Sequence, residues 1–167
     1  MWAGIAQAVP GRRLGDISNA VERSVRGSGD YGLIREYTGH GIGTEMHMDP
    51  PVRNYGPPGQ GPRLLAGMAL AIEPMITRGG REVAELEDGW TVVSVDRSRA
   101  AHFEHTVAIT DGGPWVLTAL EGAKSAAAER AGVRLSGRDP QSAATVGTRE
   151  DDRLATRTAP GGDGDVG

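Results

Sequence analysis

Tyr37-Thr38-Gly39-His40-Gly41-Ile42-Gly43-Thr44-Glu45-Met46-His47-Met48-Asp49-Pro50-Pro51 is the stretch on which the reading of this chain turns. It holds two of the four histidines, seven residues apart and set among glycines. Gly39, Gly41 and Gly43 leave room for a tight backbone turn and for a ligand or metal to approach closely. The other two histidines, His102 and His105, flank Glu104. A second carboxylate, Glu73, lies between the two pairs in the apolar run Ala69-Leu70-Ala71-Ile72-Glu73-Pro74-Met75-Ile76. Two acids embedded in hydrophobic strands, together with every histidine of the chain, point to a metal site.

Composition narrows the chemistry. There is no cysteine, so disulfides and thiolate ligands are excluded and nitrogen and oxygen donors remain. A net charge of −4 gives no argument for nucleic acid or for a membrane surface. No apolar run is long enough to span a bilayer, and Met1-Trp2-Ala3-Gly4-Ile5-Ala6 lacks the basic start of a secretory signal. The expected compartment is the cytoplasm. Lys124 is the only lysine among many arginines, which reads as genomic bias.

Outward from the glycine–histidine stretch, the pattern predicts an α+β arrangement. On the N-terminal side, Met1, Ile5 and Ala8 share one helical face before Pro10-Gly11 turns the chain. Leu14, Ile17, Val21 and Val25 recur at three- and four-residue spacing, which predicts an amphipathic helix stopped by Gly27 and Gly29. Residues 31–37 read as a short strand. On the C-terminal side, the prolines from Pro50 to Pro62 predict loop throughout. Residues 67–77 read as one buried strand, and residues 101–110 as another. Between them, Glu87-Asp88-Gly89 signals a hairpin. Asp111-Gly112-Gly113 turns the chain into residues 115–118. No aromatic residue follows Trp115, and residues 123–167 have too little apolar surface to offset their ordering entropy. The expected organisation is a folded domain over 1–122 and a disordered tail over 123–167.

Glu73 is the most informative single residue. An unpaired carboxylate amid Leu70, Ile72, Met75 and Ile76 carries a desolvation cost of several kcal/mol. Strand alternation offers a resolution, with positions 71, 73 and 75 facing a cleft. The competing explanations are an edge-strand acid facing water for Glu73 and a salt bridge to an arginine for Glu104. Those two explanations must hold together, and beside His40 and His47 they weaken; His40 and His47 taken singly read as loop or surface histidines. His105 alternates to the face opposite Glu104, which suggests a structural role. His102 shares the face of Glu104 and can approach a metal.

The segments Gly39-His40-Gly41-Ile42-Gly43 with His47 and Pro50, Ile72-Glu73-Pro74-Met75, Asp88-Gly89-Trp90-Thr91-Val92 and Phe103-Glu104-His105-Thr106 occur in an order that resembles the C-terminal half of a type I methionine aminopeptidase. The similarity runs from about Met1 to Thr118. Glu73-Pro74-Met75 departs from the Glu-Pro-Gly usual in proline-specific peptidases of that fold. The resemblance implies half of a pita-bread fold, an antiparallel curved sheet with flanking helices. It implies divalent metal ligands at His40, Glu73 and Glu104, with Glu104 as the bridging glutamate. It places His47 against the scissile amide, makes Glu73 also the proton carrier, and sets Thr38, Met46 and Trp90 around the methionine side chain. The metal in such enzymes is Co, Mn, Fe or Zn, and two are bound. Two aspartate ligands and a further histidine belong to the family's N-terminal half, and Asp16, Asp30 and Asp49 do not match them. The expectation is therefore a truncated aminopeptidase that holds at most one metal well. Its partners would be the N-terminal peptide of nascent proteins and a separate N-terminal half. A non-catalytic binding module or half of a split enzyme is the alternative.

Overall fold

Helical spacing at the N-terminus produces two helices. In the computed structural model, which describes residues 1–119 and 133–135, α1 spans Trp2–Ile5 and α2 spans Leu14–Ser28. Leu14, Ile17 and Val21 are buried along one stripe of α2, as an amphipathic helix requires. Gly29 ends α2 at φ 148°, a conformation open to glycine. The N-terminus of α2 is held by Asp16, which accepts from the backbone N–H of Arg13 at 2.9 Å and of Gly59 at 2.8 Å. The expected disordered tail, 123–167, lies outside the described residues except for 133–135.

Eleven short strands follow among the described residues: β1 Gly32–Leu33, β2 Gly39–Ile42, β3 Met48–Val52, β4 Ala69–Ile72, β5 Met75–Thr77, β6 Val83–Glu85, β7 Val92–Ser94, β8 Ala100–His102, β9 His105–Thr110, β10 Gly113–Val116 and β11 Arg134–Leu135. Six form one sheet in the order β11-β10-β9-β4-β2-β3, three form a second in the order β1-β5-β8, and β6-β7 is the predicted hairpin around Asp88-Gly89. All pairings are antiparallel except β10 with β11. Ile5, Leu14 and Ile17 from the helices pack against Leu70, Ile72, Val107 and Ile109 of the large sheet to form the core.

Three expectations change. The strand expected over 31–37 shrinks to β1, and His40 sits in a strand of its own. Pro50 and Pro51 lie within β3 rather than in a loop. β3 is the outermost strand of its sheet and its register against β2 shifts between the Gly39↔Val52 and Gly41↔Met48 pairs, and an edge and a bulge are the places where a sheet tolerates proline. The single buried strands expected over 67–77 and 101–110 are each two strands. β4 and β9 belong to the large sheet, β5 and β8 to the small one. Glu73-Pro74 and Phe103-Glu104 are the residues between.

Candidate metal centre

The two crossovers face each other. Ile72 pairs with His105 in the large sheet, and Met75 pairs with His102 in the small one. Carried across the gap, that register sets Glu73 opposite Glu104. Directly opposed residues of an antiparallel pair project on the same side. Proline cannot donate to the ladder, so the Glu73-Pro74 step is a natural place for the chain to leave one sheet for the other.

β2 brings the histidine. It pairs with β4 through Gly41↔Leu70 and with β3 through Gly39↔Val52 and Gly41↔Met48. Gly39 and Gly41 are buried, and a side chain on either would collide with the backbone of Ala71 or of Asp49. These glycines admit neighbouring strands rather than a ligand, contrary to the expectation from sequence. His40 between them is left pointing into the site. Its Nδ1–H donates to Gly41 O at 3.0 Å, since a carbonyl can only accept, and that hydrogen bond turns Nε2 toward the site. Nε2 stands 3.5 Å from Glu73 Oε1.

One ligand atom each from His40, Glu73 and Glu104 lies within 4.8 Å of the others. The fit to a divalent cation is good. Nε2 of His40 faces the Glu73 carboxylate, and a second carboxylate, Glu104, stands opposite. Bonds of about 2.1 Å span donors up to about 4.2 Å apart, so small side-chain adjustments bring all three onto one ion. Glu73 is 9% exposed. Its burial, and then the charge of Glu104, push its pKa up, against the pull of His102 and His40. A cation removes that repulsion. Glu104 itself is exposed, which corrects the expectation of two acids buried alike: only the Glu73 crossover is covered by its neighbours.

A cleft of about 780 Å³ opens beside these residues, lined by Thr38, His40, His47, Glu73, Trp90 and His102 among others. His47 is exposed, its ring 4.2 Å from that of His40 between centroids. Trp90 is 87% exposed at the wall of the cleft. Met46, 71% exposed, is not among the residues lining it. His102 contributes more than its sequence position insisted on: its Nε2 reaches Glu73 Oε2 at 3.2 Å. The two oxygens of Glu73 thus face two different histidines. The signal was the shared face of His102 and Glu104. His105 turns the other way, its ring 5.1 Å from that of Trp2 and its Nδ1 2.9 Å from Thr118 Oγ1; burial lowers its pKa. That is the structural position its alternation suggested.

A histidine and two opposed carboxylates at a sheet crossover make a candidate site for a divalent metal. The chain belongs to metallopeptidase family M24, whose model matches residues 1–111. It is 50% identical over 118 residues to methionine aminopeptidase 1 of Bacillus subtilis, covering 71% of this chain and 47% of that protein. It is 54% identical over 120 residues to a methionine aminopeptidase of Clostridium acetobutylicum, covering 72% and 48%. The crystal structure of methionine aminopeptidase from Thermotoga maritima matches with a TM-score of 0.67 at 50% identity, over 70% of this chain and 47% of that one. The fold is accordingly part of a pita-bread fold. The chain spans about half the length of the relatives it matches. The family implies a divalent metal. Among the described residues, no helix is long and apolar enough to cross a membrane.

Proposed function

We propose that this chain carries one side of a methionine aminopeptidase active site, removing the initiator methionine from nascent proteins in the cytoplasm. The observation that carries the reading is the convergence of His40, Glu73 and Glu104 at a cleft walled by Trp90 and Thr38. The identity to methionine aminopeptidases supports it. The peptidase unit is assigned to 1–122.

When bound, a divalent cation polarises the scissile carbonyl and acidifies a water. The chain's own groups do the rest. His40, Glu73 and Glu104 hold the ion. One imidazole and two carboxylates suit Co, Mn, Fe or Zn, and three ligands suit a single ion. Glu73 is assigned both tasks, one carboxylate oxygen holding the ion and the other accepting a proton and passing it on. His47, exposed beside His40, is assigned to meet the scissile amide. Thr38 and Trp90 receive the methionine side chain, with Met46 at the margin; a thioether over an indole is worth about 0.3–1.5 kcal/mol. A separate N-terminal half is the partner assigned to supply the remaining ligands.

The test is calorimetric titration of the full chain with Co²⁺ or Mn²⁺, then hydrolysis of Met-Ala-Ser with and without an added N-terminal half. One site per chain, abolished in Glu73→Gln, is the expected result, with turnover appearing on addition of the second half. Two tight sites on the isolated chain overturn the single-ion assignment. Metal binding without turnover under any combination replaces the peptidase reading with a non-catalytic binding module.

A further inference from the structure

The crossover that creates the site also leaves backbone groups to be matched. Between the Ile72↔His105 and Met75↔His102 pairs the ladder lapses. Pro74 has no N–H to give, and its carbonyl is met only at 3.4 Å by Phe103 N–H. The Glu73 carbonyl is met by a side chain: Asn54 Nδ2 donates to it at 3.2 Å. Asn54 is 1% exposed and stands two residues beyond Val52, the partner of Gly39. One amide therefore ties the strand beside His40's strand to the kink that carries Glu73. Its Oδ1 is buried with no hydrogen-bond partner among the described residues. Without the amide the buried Glu73 carbonyl would lose its donor, at a cost of about 1–3 kcal/mol, so Asn54 answers a need that the crossover creates.

We propose that Asn54 is a positioning residue for the metal centre. Its amide fixes the Glu73 carbonyl, hence the backbone torsions at the crossover and the spacing of the Glu73 carboxylate from His40. It touches neither the cation nor the substrate. The proposal rests on the metal reading above, and groups that orient ligands from behind typically change metal affinity by roughly 10–100-fold.

Asn54→Leu removes the donor at similar volume, and Leu64→Ala is the control: Leu64 is a core residue with no part in the site. Each full-length variant is titrated with Co²⁺, its visible absorption is recorded, and its thermal unfolding is measured. The expected result is a fall in Co²⁺ affinity of about tenfold or more in Asn54→Leu with an altered absorption band. Leu64→Ala, though less stable, keeps the wild-type affinity and band. Wild-type affinity and band in Asn54→Leu, or equal losses in Leu64→Ala, overturn the proposal. A metal-free arm separates it from the metal reading. By NMR, Asn54→Leu displaces the His40 ring and Glu73 carboxyl resonances and Leu64→Ala displaces neither. If the wild-type chain binds no Co²⁺, the metal reading falls and this arm still decides. If Asn54→Leu does not fold, the wild-type chain decides: the Asn54 side-chain N–H protons exchange slowly if the bond holds, and exchange as fast as that of an exposed asparagine overturns it.

Discussion

Glu73 and Glu104 illustrate how one cross-strand pair serves two states of the molecule. Without a cation, two carboxylates on the same side of a ladder repel, and the repulsion adds to the burial that already raises the Glu73 pKa. Glu104→Gln is therefore expected to act in opposite directions. It raises the melting temperature of the metal-free chain, by an increment worth no more than about 1 kcal/mol because Glu104 is exposed. It also lowers metal affinity by at least roughly 10–100-fold, the range for loss of a mere outer partner. Thermal melts and Co²⁺ titration on the same preparation check both; a parallel fall in both quantities contradicts the pairing. The pH dependence follows with its sign. Glu73 binds a proton more tightly folded than unfolded, so its contribution to metal-free stability is complete below the ordinary glutamate pKa and is lost as pH rises through the raised value. Metal uptake runs the other way, since the ion needs the carboxylate. That Glu73 has polar partners was legible from sequence, because an acid in an apolar run demands them. Its contact with His102 was less so, because alternation gives a face and not a distance.

At the scale of elements, the sequence was most readable where one physical cause dominates. α2 follows from the spacing of Leu14, Ile17 and Val21, and the β6-β7 hairpin from Asp88-Gly89, with Gly89 at φ 64°. Readability failed where a strand's place in a sheet decides the matter. Pro50 and Pro51 look like loop until β3 is known to be an edge, and the apolar run through Glu73 looks like one strand until β4 and β5 are seen in different sheets. Gly41 is a case in point: a methyl group there would strike the backbone of Asp49 and Met48, which cannot yield as a flexible side chain can. Gly41→Ala should cost about 1–3 kcal/mol and separate β2 from β3, seen as a lowered denaturation midpoint and loss of amide protection in β3; unchanged protection argues against this packing role. The start of α2 makes a second prediction. Hydrogen bonds from the Arg13 and Gly59 N–H groups hold the Asp16 carboxyl below the usual range. Its stabilisation is thus present above the ordinary aspartate pKa of about 3.9 and is lost as pH falls through the lower folded value. Asp16→Ala is expected to reduce stability by about 1 kcal/mol near neutrality and by almost nothing in strong acid. A pH-independent difference in urea midpoints would mean that packing, not the carboxylate, is responsible.

For the molecule as a whole, the distribution of apolar surface is uneven. One side of the large sheet is closed by α1 and α2 around Ile17, Leu70, Ile72 and Val107. Around the metal cleft the picture reverses: Trp90 is 87% exposed, and Val92 and Val93 are also exposed at the cleft wall; Phe103, which does not line the cleft, is 67% exposed as well. Large apolar side chains gathered at an open cleft mark a surface that binds something. The same surface makes the isolated chain prone to self-association, since burying an aromatic side chain yields on the order of 2–3 kcal/mol. Sedimentation velocity over a range of concentrations should show reversible association of the full chain. Phe103→Ser with Trp90→Ser should shift it toward monomer while leaving the far-ultraviolet circular dichroism unchanged, because neither residue is part of the buried core. Trp90 lines the cleft, so the association should also hinder access to the metal centre: Co²⁺ uptake by the wild-type chain should slow as protein concentration rises, and uptake by the double variant should not. Equal uptake rates at all concentrations would mean that the exposed aromatics and the metal centre belong to separate surfaces.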